Sequence, residues 1–575
     1  MKNARMTGVL LPLFSLRRKN DHGIGDLAAL KEWIDWAADH GVGFLQLLPV
    51  NALGEGEAPS PYSAVSSVAL EPMYLALEPE WVPGLPELAQ PSEIGMDALH
   101  PASDPALVDY ARVRVWKAVM LKRAWDVFRD GEAFEGRRRD FQDWVLLQDA
   151  WLDDFACFRV MSRLFGSCEW WKWPEQDPDR VRLMSEEYGD AMLYEKWLQW
   201  LAFMQWDDVR RYADSRGVAL MGDIPIGVAM ASADVFFERR NFDVSWSGGA
   251  PAEGDFADDP FTAKWGQNWG IPLYRWEEMA EDGFAWWKRR IRMTTRIFRM
   301  YRVDHILGFY RIYAFPWIPE ENPVYLSLTP DEAAARCGGR RPGFQPRPDW
   351  TEEDRKLNLA QGDRLLRVLL EADPSAAVIG EDLGCVPDYV RPDLQLLRIA
   401  GFKIPHWEIR EDGHIVMGDA YHPCSFAVYA THDFPPIVDT WNECWDKVKA
   451  FRDAEAAQPV PGKEEMDALK AGYEDGRRVL MWFAEFCGMN EETAMAAWNP
   501  QIKNAMFDAL LACRSRYVAM MWTELFDDGR RLNIPGTVGG INWRPRMGFT
   551  AEEAAGMEQS RWLLELSRLQ GRTER

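Results

Sequence analysis

Three short segments of this chain carry acidic residues in settings suited to covalent or proton-transfer chemistry. In Tyr301-Arg302-Val303-Asp304 an Asp ends an apolar stretch with an Arg two positions earlier. Residues i and i−2 of a strand share a face, so the guanidinium can keep the carboxylate ionised and aimed, as a nucleophile requires. In Val378-Ile379-Gly380-Glu381 a Glu follows an apolar strand. Partial desolvation there favours the protonated carboxyl, which suits a general acid. Ala430-Thr431-His432-Asp433 adds a third carboxylate beside an imidazole able to donate to a substrate hydroxyl, a pairing suited to transition-state stabilisation.

Such groups are useful only if something brings them together. Five apolar runs end in acids: Val218–Met221 before Asp223, Met300–Val303 before Asp304, Ala376–Ile379 before Glu381, Phe426–Ala430 before Asp433, and Tyr517–Thr523 before Glu524. Parallel strands of a (β/α)8 barrel open their C-terminal ends on one face, so the acids are expected to converge around one pocket. The N-terminal segment reads as a βαβ unit. A strand over Gly8–Leu13 precedes a helix that Asp26 caps, with Leu27, Leu30, Ile34 and Ala38 on one face; Gly41 closes it, and a second strand runs over Phe44–Val50. Trp- and Arg-rich helical patterns fill Pro101–Trp206, and a second helical block occupies Trp441–Ala512 around Pro459-Val460-Pro461-Gly462. Ser247–Asn268, rich in Gly, Pro and Asp, reads as a long irregular loop. The expected architecture is α/β: one catalytic (β/α)8 TIM barrel over residues 1–575 with large, mainly helical insertions near 60–206, 236–298 and 441–512.

Composition narrows the partners. A net charge of −24 repels phosphate backbones and anionic membranes, so neither nucleic acid nor membrane is an expected partner. No apolar run reaches about 18 residues and no signal peptide is read, which points to a cytoplasmic protein. The eight cysteines never form a CxxC pair; they read as reduced, mostly buried thiols, and no zinc or other metal is expected. Twenty-nine Trp make carbohydrate a candidate ligand, since flat rings stack on the C–H faces of sugars, although most of them must serve the core.

These segments resemble those of the 4-α-glucanotransferases, the amylomaltase or disproportionating enzymes of glycoside hydrolase family 77. The resemblance extends over nearly the whole chain. Its other motifs are Gly23-Ile24-Gly25-Asp26-Leu27, Ser60-Pro61-Tyr62-Ser63, Gly222-Asp223-Ile224-Pro225-Ile226, Ser232-Ala233-Asp234-Val235, Gly266-Gln267-Asn268-Trp269-Gly270 and Arg531-Leu532-Asn533-Ile534-Pro535-Gly536-Thr537 with Asn542-Trp543-Arg544. It implies a retaining transfer of α-1,4-glucan segments between a donor and an acceptor, with no cofactor. Asp304 is then the nucleophile, Glu381 the acid/base and Asp433 the stabilising carboxylate. Arg302, His432, Asp223, Tyr62, Trp269, Gln267, Asn268, His305 and Asn533 are the implied substrate-binding set, the first three contacting the donor sugar or orienting the nucleophile and Trp269 lying on a loop that covers the bound glucan.

The chain departs from the family pattern in four places. Met230-Ala231 precede Ser232 where a polar and an acidic residue are usual, and the loop Pro251–Pro260 is longer than the usual one. Phe434 replaces an Asn after His432-Asp433, and Lys403-Ile404-Pro405-His406-Trp407 replaces a more apolar stretch. Two alternatives stand beside the transferase: a retaining α-glucan hydrolase on the same scaffold, and a catalytically silent glucan-binding protein.

Overall fold

The structure is a computed structural model describing residues 4–54, 60–87, 106–148, 151–252, 259–457 and 461–573. Eight parallel strands close into a barrel. In chain order the strands are β1 (Met6–Leu10), β2 (Phe44–Gln46), β3 (Ala219–Ile224), β4 (Phe242–Ala250), β5 (Gln267–Tyr274), β6 (Met300–Val303), β7 (Ile312–Phe315), β8 (Gly343–Gln345), β9 (Ala377–Gly380), β10 (Ala400–Lys403), β11 (Ser425–Ala427) and β12 (Tyr517–Met521). The barrel order is β1-β12-β11-β10-β9-β6-β3-β2, closed by pairing of β1 with both β12 and β2. The N-terminal strands are shorter than the apolar runs suggest: β1 ends at Leu10 and β2 at Gln46, although the Leu47 amide still donates to the Met221 carbonyl at 2.8 Å. Phe44, Met221, Met300, Ile379, Phe402, Phe426 and Tyr517 fill the barrel interior as an apolar plug. A Cβ at Gly8 would collide with the Phe44 ring, so a larger residue there would expel that ring from the plug.

The first crossover helix, Leu27–Asp39, starts where Asp26 accepts a hydrogen bond from the Ala29 amide at 2.9 Å, a cap of about 1 kcal/mol. It buries Leu27, Leu30, Trp33, Ile34 and Ala37. Between β2 and β3 lie the helices Tyr110–Asp130, Glu135–Leu146, Trp151–Phe165, Pro178–Ser185 and Gly189–Arg216. Between β11 and β12 lie Ile437–Ala456, Lys463–Cys487, Glu491–Ala494 and Pro500–Ala512. Residues 101–105, 458–460 and 253–258, which belong to stretches discussed above, lie outside the described residues. Trp33, Trp116, Trp197, Trp206, Trp286, Trp287, Trp441 and Trp522 are fully buried, so these rings serve the core. Among the described residues no helix is long and apolar enough to cross a membrane.

Two expectations are corrected. Ser247–Asn268 is not an irregular loop: its ends belong to β4 and β5, which pair antiparallel, with the helix Pro260–Trp265 between them. The glycines that suggest a loop serve close backbone approach, since a Cβ at Gly249 would strike the Gln267 carbonyl. β4 and β5 form a small sheet of order β5-β4-β7-β8 beside the barrel mouth. The second correction concerns Glu524. It turns into the short helix Trp522–Leu525 and accepts from the amides of Met521 at 2.8 Å and Ile437 at 3.1 Å. It is buried, with its carboxyl pushed up by that burial to about 7, and it joins two elements instead of facing the pocket.

Candidate active site

Strand register sets the centre of the site. β3 pairs with β6 so that Asp223 and Arg302 are direct neighbours. Arg302 Nη1 donates to both Asp223 oxygens, at 2.9 and 2.8 Å, and its Nη2 lies 2.7 Å from Asp304 Oδ1 and 3.9 Å from Glu381 Oε2. This guanidinium is buried and sits over the Phe402 ring of the apolar plug, 6.0 Å from its centroid. Asp223 also accepts from the Tyr62 hydroxyl at 2.7 Å, so Asp223 fixes Arg302 and Arg302 in turn aims Asp304.

Glu381 follows β9, and its neighbour Asp382 points the other way, accepting from the Phe402 amide at 2.6 Å. Glu381 is held by the amides of His305 at 2.8 Å and Leu383 at 3.0 Å. His305 reaches this position with φ 44, a left-handed backbone rare for a residue with a side chain; the bend turns its N–H back toward Glu381. Burial pushes the Glu381 carboxyl up to about 8; the Arg302 charge pulls against this and the Asp304 charge adds to it. The His305 ring is pushed down to about 4 by burial, so it is neutral at pH 7.

Asp433 follows β11, two strands along the barrel from β9. Its Oδ1 accepts from Asn533 Nδ2 at 2.7 Å, its Oδ2 lies 3.3 Å from His432 Nε2, and its carbonyl accepts from Arg531 at 2.8 Å. Tyr62 stacks on His432 with an interplanar angle of 14°, and its hydroxyl lies 2.8 Å from His432 Nε2. Since that hydroxyl donates to Asp223, His432 Nε2–H is the donor to Tyr62.

The three carboxylates surround a cavity of about 410 Å³. Tyr62, Gln267, Trp269, Arg302, Asp304, His305, Glu381, Asp433 and Asn533 all line it. Three of the sequence-derived binding residues do not. Asp223 and His432 lie buried, Asp223 against Arg302 and the Tyr62 hydroxyl and His432 against that same hydroxyl. Asn268 faces away because side chains alternate along β5: its amide donates to the Trp317 carbonyl and to Asn322, both at 3.1 Å, and its oxygen accepts from Ser247 at 2.5 Å. Trp269 donates to Gln267 at 3.1 Å and meets His305 edge-on at 4.9 Å. Sequence reading missed Arg311, Tyr313, Phe344 and Trp543, which also line the cavity. Trp543 lay within a recognised motif, and its contact with Tyr62 at 5.7 Å gives it a place in the wall. Tyr313 and Phe344 reach the cavity only through the small sheet, which local pattern did not reveal. Of the departures from the family pattern, Phe434 lines the cavity and meets Trp407 edge-on at 4.8 Å, whereas the Met230 carbonyl accepts from Trp170 at 2.7 Å.

Comparison with known proteins places the chain in a family. A family model described as 4-alpha-glucanotransferase, glycoside hydrolase family 77, matches residues 11–550. A 4-alpha-glucanotransferase of Chlamydia pneumoniae is 28% identical over 557 residues, covering 95% of this chain and 92% of that protein. Among solved structures, amylomaltase from Corynebacterium glutamicum superposes with a TM-score of 0.74 at 21% identity, covering 98% of this chain and 75% of that one. Amylomaltase from Streptococcus agalactiae in complex with acarbose gives 0.72 at 22% identity, covering 99% and 100%. At these identities the structural likeness speaks for the fold.

Proposed function

The chain belongs to the 4-alpha-glucanotransferases of glycoside hydrolase family 77, and from that premise we propose how its residues carry out a retaining transfer between α-1,4-glucans. Asp304 attacks the anomeric carbon of the donor while Glu381 gives its proton to the departing 4-oxygen, leaving a glycosyl ester on Asp304. Ester formation removes the Asp304 charge that had helped to raise Glu381, so the Glu381 carboxyl falls in pKa and becomes the base for the second step. The 4-hydroxyl of an acceptor glucan then gives its proton to Glu381 and attacks the same carbon, and the ester bond breaks. The observation that carries this reading is the single Arg302 nitrogen lying 2.7 Å from Asp304 and 3.9 Å from Glu381. Two carboxyl groups held by one nitrogen at these distances are compatible with the short separation, roughly 5–5.5 Å, of retaining enzymes.

Asp433, held by Asn533, stabilises the charge that develops on the sugar. Tyr62, Trp269 and Trp543 give the cavity aromatic walls for pyranose faces. A bound and oriented acceptor has an effective molarity of about 10⁵ M or more, which lets transfer outrun hydrolysis by water. No cofactor is called for, because the energy of the glycosyl bond passes from donor to product. The scattered cysteines support a reducing, cytoplasmic setting.

Incubation with maltotriose alone tests the reading. The expected products are glucose and a ladder of maltooligosaccharides longer than the substrate; a product set of shortened sugars only would favour the hydrolase. The pH profile offers a second check. The free protein must hold Glu381 protonated, so kcat/KM for maltotriose is expected to fall as pH rises past about 8. A profile that already falls between pH 4 and 5 would remove Glu381 as the acid.

A further inference from the structure

A second cavity of about 170 Å³ lies on the far side of the small sheet from the catalytic cavity. Side-chain alternation produces the two faces: Tyr313 and Phe344 point into the catalytic cavity, while their neighbours Ile312 and Gln345, a register pair on β7 and β8, line the second one. The partition between the cavities is thin. Ile226, Gly227 and Ile271 border both, and a Cβ at Gly227 would collide with Ile271.

The lining has the composition of a carbohydrate subsite. Trp246 and Trp276 are half-buried rings, and among the described residues neither indole N–H has a hydrogen-bond acceptor. Arg340 lies over the Trp246 ring at 5.4 Å from its centroid. The Gln345 amide has no partner among the described residues. Gln361 donates to the carbonyls of Phe309 at 3.1 Å and Tyr310 at 3.3 Å, leaving its oxygen as an acceptor. Asp243 uses Oδ1 to accept from the Ser245 amide and hydroxyl, and its Oδ2 is available to a hydroxyl. Arg275 also lines the space, which therefore holds both a carboxylate and a guanidinium that sugar hydroxyls can engage. Aromatic faces flanked by unengaged amide, indole and carboxylate groups match the alternating C–H and O–H surfaces of a pyranose.

We propose that this second cavity binds one glucosyl unit of an α-1,4-glucan that is longer than the catalytic cavity holds, tethering polymeric substrate beside the site of transfer. The proposal rests on the transferase reading for its ligand class. Tethering raises the local concentration of long chains and leaves short ones unaffected. Trp246→Ala is therefore expected to raise KM for maltoheptaose about tenfold, the loss of one stacked and hydrogen-bonded ring, while maltotriose transfer is unchanged. Gln345→Ala, which keeps the ring, is expected to raise KM for maltoheptaose about threefold. A direct readout is calorimetric titration of maltoheptaose into the turnover-deficient Asp304→Asn protein. Two classes of site are expected, with the second removed by adding Trp246→Ala. A one-site isotherm in the Asp304→Asn protein would overturn the proposal, as would equal effects of both substitutions on maltotriose and maltoheptaose. Failure of the transferase reading itself would appear separately, as a wild-type protein that makes nothing longer than maltotriose; the isotherm would still decide whether the cavity binds glucan.

Discussion

Asp304→Asn is expected to lower the rate of transfer from maltotriose by at least about 10³-fold while the protein folds normally. The amide has the shape of the carboxylate and can still accept from Arg302 Nη2 through its oxygen, so the surrounding contacts survive. In the proposed mechanism what is lost is the negative charge that attacks the anomeric carbon, and no other carboxylate takes its place. Glu381 is held protonated, Asp223 is engaged by Arg302 and Tyr62, and Asp433 is engaged by Asn533. The side chain is 26% exposed and its strand is anchored by backbone pairing, so the unfolding midpoint should stay close to that of the wild type. Initial rates of glucose release together with a thermal melt check both halves. Full activity in a folded variant would remove the nucleophile assignment and the mechanism built on it.

Arg302→Met is expected to reduce both activity and stability strongly. The guanidinium is 3% exposed and its partner Asp223 is wholly buried, so removing the cation leaves a carboxylate in the barrel interior without its counter-charge. Breaking such a pair costs about 3–5 kcal/mol. Burial already raises the Asp223 carboxyl above its ordinary value against the pull of Arg302, and loss of Arg302 raises it further. A folded-state pKa above the unfolded one means that the native state binds more protons, so stability declines as pH rises from the unfolded value through the folded one. The deficit of Arg302→Met should therefore be smaller at pH 5 than at pH 8 in urea titrations. A merely structural role would leave the chemistry of the folded fraction intact. Because Arg302 also aims Asp304 and faces Glu381, kcat should fall by about 10²-fold or more even where the variant is fully folded, and the alkaline limb of the pH profile should move upward. Wild-type kcat in folded Arg302→Met protein would contradict the positioning role.

The sequence was most informative where function depends on neighbours along one strand or one helix turn. Arg302 and Asp304 share a face because they are two residues apart, and the structure places them 2.7 Å apart. Asp26 caps its helix because a carboxylate just before an apolar, helix-periodic run can reach the amide three residues on. The same local rule, applied to a barrel-strand end, selects Glu381, yet it does not say whether Glu381 or Asp382 faces the cavity. Glu524 shows where the rule fails: a carboxylate after a strand also suits the first turn of a helix, and there the backbone amides of Met521 and Ile437 claim it.

The chain by itself determined the three carboxylates that line one cavity, the parallel barrel that gathers them, and the aromatic character of the walls. Backbone geometry repeats every two or 3.6 residues, so amino-acid pattern exposes these features directly. Tertiary structure alone decided that Asp223 is the anchor of Arg302, that His432 meets the Tyr62 hydroxyl, that Asn268 braces the small sheet, and that β4, β5, β7 and β8 form a sheet at all. Each of these depends on which distant strand or loop comes to lie alongside. That choice is set by packing and register between residues tens to hundreds of positions apart, on which local periodicity is silent.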